Sequence, residues 1–82
     1  MNLSILNGHF NKQDAITLLT QMVHVKIAYH ESSITKTSMM EDIKMHETRI
    51  KQLQKELQDV RNEINLLDGN IGLKGLIEIG VA

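Results

Sequence analysis

Four histidines, at positions 9, 24, 30 and 46, are the residues of this 82-residue chain best suited to chemistry. Imidazole ligates metals and exchanges protons near neutral pH. Cysteine is absent, so thiolate nucleophiles, a disulfide framework and Cys-based zinc sites are excluded. His24 and His30 are six residues apart, which turns a helix by about 600° and leaves them on different faces. Asp42 and His46 are four apart and share a face, the spacing at which two side chains reach one ion. A turn between residues 30 and 42 would bring His30 across to join them. His30, Asp42 and His46 are therefore the one constellation suited to zinc or another divalent metal. The stronger reading is plainer: His46 is a polar residue in a helix seam, satisfied by Asp42 and setting register. On that reading no cofactor is expected, and His46→Leu raises the melting temperature.

Other arrangements carry less. Tyr29, His30 and Glu31 are adjacent, and neighbours on a helix diverge by about 100°, so they form no relay. No Ser/His/Asp grouping has workable spacing, and no enzyme activity is expected. The segment "GNIGLKG" at 69–75 follows a helix instead of opening one and lacks the Lys-Ser/Thr of a phosphate-binding loop. Lys44, Arg49, Lys51 and Lys55 could make a basic strip for nucleic acid, the third alternative. However, nine Lys and Arg stand against ten Asp and Glu, not the basic excess of a phosphate-backbone binder.

The elements that must position these residues are legible from periodicity. Residues 2–9 alternate weakly, with Leu3 and Ile5 on one side, and Asn7-Gly8 reads as a closing turn. Asn11 can cap a helix over 11–33. That helix carries two apolar stripes, one through Ile16, Leu19, Val23 and Ile27, the other through Ala15, Leu18, Met22, Val25 and Tyr29. Two stripes imply two neighbours. A turn is expected over 34–38, with Ser38 and Glu41 forming a capping box. From 39 to 68 a heptad places Ile43, Ile50, Leu57 and Ile64 at one core position and Met39, His46, Leu53, Val60 and Leu67 at the other, a coiled-coil pattern. Gly69 ends it. Residues 70–82 form a glycine-spaced apolar strand or tail, alternating through Ile71, Leu73, Ile77, Ile79 and Val81.

The expected fold is mainly α: a single domain built as a helical hairpin with a coiled-coil second helix, dimerising into a four-helix bundle, with short N- and C-terminal β-strands that can pair. Folding the helices about residue 36 places position 30 near 42 and leaves Ile64, Leu66 and Leu67 overhanging. About eight large apolar side chains would then stay wet, forfeiting on the order of 10 kcal/mol, as much as a small domain's stability. The expected partner is therefore a second copy, with a tetramer as the alternative. Its interface is expected at Leu18, Met22, Val25 and Tyr29 of the first helix, and at Ile50, Leu53, Leu57, Val60, Ile64 and Leu67 of the second. Residues 71–81 are a candidate contact for another protein. No apolar run of about 20 residues is present to span a membrane, and a cytoplasmic assembly or adaptor module is the expected role.

Overall fold

In the computed structural model, which describes residues 1–82, the order is β1 (Asn2–Phe10), α1 (Lys12–Lys36), α2 (Met40–Leu66) and β2 (Ile71–Glu78). Asn11 starts α1 as its residue type predicts, its side-chain oxygen accepting the amide of Asp14 at 2.8 Å. Three further helical residues than expected extend α1 to Lys36. The turn is then only residues 37–39, and its chemistry differs from the capping box foreseen. Thr37 Oγ1 accepts the Met39 amide at 3.2 Å, so Met39, without a side-chain cap, becomes the residue before α2. The expected capping box between Ser38 and Glu41 does not form, because the N-cap position falls on Met39 instead of Ser38.

The tighter turn changes the pairing of the helices. His30 stands against His46, and Lys12 Nζ reaches the carbonyl of Asn65 at 3.4 Å. The two helices therefore end together, and Ile64 is buried instead of overhanging. Leu53 and Leu57 are likewise buried between α1 and α2, because they lie on the seam that the first helix covers. Assigning Leu53, Leu57 and Ile64 to a contact between copies is thus corrected: these side chains complete the single chain. Leu66 and Leu67 remain exposed.

β1 and β2 pair antiparallel from Asn2 opposite Glu78 to Phe10 opposite Ile71. Strand β1 runs straight through Asn7 and Gly8, which pair with Lys74 and Leu73, so no turn forms there. A bulge between Ser4 and Leu6 shifts the register by one residue. Because side chains alternate between faces, such a shift changes which ones look inward. Leu6 and Phe10 turn toward the helices, while Leu3 and Ile5 stay about half exposed. On β2 the odd-numbered alternation holds near the helices, where Ile71 is buried and Leu73 half-buried, while Ile77 is exposed and Ile79 and Val81 lie exposed beyond the strand's end at Glu78. Gly69 leaves α2 with φ +77°, the left-handed conformation glycine adopts without strain.

The core is small. Ala15, Ile64 and Ile71 pack together beneath Phe10, Ile16, Leu19 and Leu73, with Leu53 and Leu57 continuing the seam toward the turn. Only 6 of 82 residues are buried, and the molecule measures 47 × 32 × 14 Å. Its shortest dimension is little more than one helix diameter of about 10–12 Å. The protein is a single layer, whereas stable domains stack two. No helix is long and apolar enough to cross a membrane.

Candidate functional site: a histidine pair on one face, an apolar stripe on the other element

The seam brings together two of the three residues picked out for metal chemistry. His30 Nδ1 and His46 Nδ1 are 2.7 Å apart, their rings tilted at 51° with centroids 5.0 Å apart. The ring of Tyr29 meets His30 edge-on at 5.4 Å. A contact this short between two ring nitrogens is a hydrogen bond holding one proton, one nitrogen donating and the other accepting. His30 Nε2 is buried with no partner. Buried N–H groups without an acceptor are rarer than underused acceptors, so the arrangement fits a proton on His30 Nδ1, donated to His46 Nδ1. His30 Nε2 is then a bare lone pair, and the Nε2–H of half-buried His46 is left to the more open side.

Asp42 does not join them. Its carboxylate accepts from Thr37 Oγ1 at 3.4 Å, because the tight turn places that hydroxyl beside it. No three His, Cys, Asp or Glu side chains cluster as a metal-ligand set, so the expected triad is reduced to a pair. Burial holds His30 below the ordinary histidine value of 6.5, and the charges of Lys26, His46 and Arg49 push the same way. Lys26 and Arg49 also oppose the entry of a divalent cation. Chemically, the pair is a polar lock between two helices built on one shared proton.

The basic strip does not assemble as a continuous surface. Arg49 turns toward Glu56 at 3.9 Å and Gln52 at 3.3 Å, and Lys55 pairs with Asp59 at 3.2 Å. The glycine-rich segment is strand from Ile71 onward, not a loop. Between the helices an open groove of about 360 Å³ is lined by His24, Ile27, Glu31, Gln54, Leu57, Gln58 and Arg61. It offers both signs of charge and amides, with no nucleophile and base in contact. A smaller groove on the other side of the hairpin, lined by Leu19, Val23, Glu56, Leu57 and Val60, is mostly apolar.

The second stripe of α1 continues that apolar side. Val25 is 73% exposed and Tyr29 58%, with Met22 at 36% and Leu18 half-buried. Within the chain, this stripe's main polar neighbour is Lys26, whose Nζ lies 5.0 Å over the Tyr29 ring. The tip of the β-ribbon adds a second exposed apolar area, with Leu3, Ile5, Leu76, Ile77 and Ile79 each about half open. No protein-family model, no curated protein and no solved structure matches the chain.

Proposed function

We propose that this protein is a non-enzymatic assembly or adaptor module whose work is contact, first with a second copy of itself. The single-layer shape carries this reading. A compact chain of 9.3 kDa is expected to expose about 5,000 Å², whereas this one exposes 6475 Å². The excess, about 1,500 Å², exceeds the roughly 800 Å² that one partner contributes to a stable protein–protein interface. Two hairpins laid face to face would form a four-helix bundle, supplying the missing layer. The exposed outer part of residues 71–81, with Leu76, Ile77 and Ile79, is then the element open to another protein, since a two-stranded ribbon has two unpaired edges.

Sedimentation of the untagged protein at micromolar concentration tests the reading. A dimer is expected, or a tetramer as the alternative closed form. A sharply melting monomer would overturn it.

A further inference from the structure

We infer that the dimer centres on α1 against α1, antiparallel, with Met22 on the two-fold axis. This rests on the assembly reading above and specifies its geometry. Leu18, Met22, Val25 and Tyr29 are spaced four, three and four residues apart, which is the spacing of a coiled-coil seam. The α2-facing stripe of α1 is already covered, and Ala15 at the start of the second stripe is buried in the chain's own core, so from Leu18 to Tyr29 this seam is left without a partner in the chain.

The occupant is a second copy because the face fits itself. A two-fold interface sets each residue against its mirror position. With Met22 at the centre, Leu18 of each copy lies within one residue of the level of Val25 of the other, apolar beside apolar. Methionine suits the centre, being flexible enough to pack on its own image. Laying the same stripe across the α2 of a second copy would instead press it onto Arg49, Glu56 and Glu63, the charged row that flanks the seam on that side.

That row supplies the orientation. Lys12 is level with Asn65 and His30 with His46, so Met22 is level with residues around 55. An axis through Met22 therefore passes beside Glu56. Reversal about this level brings Arg49 of one copy within about one helical turn of Glu63 of the other. Glu63 has no ion-pair partner within its own chain. The other broad side of the hairpin, with His24, Glu31, Gln54 and Arg61, offers no comparable apolar seam.

Single-cysteine crosslinking decides the geometry, since the chain has no cysteine of its own. Met22→Cys and Ser32→Cys are oxidised under identical mild conditions, and sedimentation is run on the reduced samples. Both positions are exposed and lie on one line of α1. About the proposed axis the two copies of residue 22 touch, while those of residue 32 are about 30 Å apart at 1.5 Å per residue. The expected result is near-complete disulfide dimer for M22C and only a background level for S32C. A reduced dimer in which M22C stays free, or in which S32C crosslinks equally well, overturns this arrangement and leaves the dimer standing. A reduced monomer overturns both.

Discussion

His30 illustrates how a single buried nitrogen can tie stability to pH. In the folded chain its proton affinity is lowered, first by burial and then by Lys26, His46 and Arg49. The unfolded chain, free of those effects, binds a proton more readily. Between the lowered value and 6.5 the unfolded state therefore holds more protons, and stability rises with pH across that window. The contribution is fully present above pH 6.5 and declines as the pH falls below it. Thermal melts of the parent and of a His30→Leu/His46→Leu double variant, run from pH 8 to pH 5, check this. The parent should lose several degrees relative to the double variant on the acid side. The same pair reverses an expectation drawn from the heptad alone, that His46→Leu stabilises. Changing only His46 leaves both ring nitrogens of His30 without partners, which costs more than the added apolar contact returns. The single variant should melt below the parent at pH 8, and the double variant at or above it, since removing both partners leaves no orphan.

The elements were legible wherever one stripe dominated the pattern. The α1 cap at Asn11, the heptad from Ile43 to Ile64, the Gly69 exit and the odd-numbered face of β2 all follow from local rules that the tertiary fold leaves alone. Two features were not legible, and both depend on a competitor close in sequence. Thr37 took the Met39 amide and the cap position moved from Ser38 to Met39, and the bulge at Ile5 rotated the outer half of β1 by one residue. Since the turn sets which α2 residue meets His30, the cap error carried into the candidate site: Asp42 went to Thr37, and His46 took its place beside His30. The uncapped start of α2 can be repaired. Met39 sits at φ −82°, ψ 121°, the extended conformation of a capping residue, and its side chain is 60% exposed. Met39→Asp should therefore add about 1 kcal/mol, and Asn11→Ala, which deletes a cap that is present, should remove about 1 kcal/mol. Urea unfolding at fixed protein concentration measures both, and opposite signs are expected.

At the scale of the whole molecule, the thin layer makes stability inseparable from concentration. A chain that completes its second layer with another chain gains stability by mass action, so its melting temperature rises as protein concentration rises. Val25 makes the sharpest probe because its surroundings differ most between the two states. In the isolated chain it is 73% exposed and touches little, so Val25→Asp should change stability by no more than about 0.5 kcal/mol, as surface substitutions usually do. In the antiparallel assembly the same carboxylate would be buried beside Leu18 of the second copy, a placement that proteins strongly disfavour. The variant is then expected to sediment as a monomer and to melt lower than the parent, with a midpoint that no longer moves between micromolar and hundred-micromolar samples. Val25→Leu, which keeps the face apolar, serves as the matched control and should retain both the association and the concentration dependence. Equal behaviour of the aspartate and leucine variants would mean that this stripe faces water in the working protein.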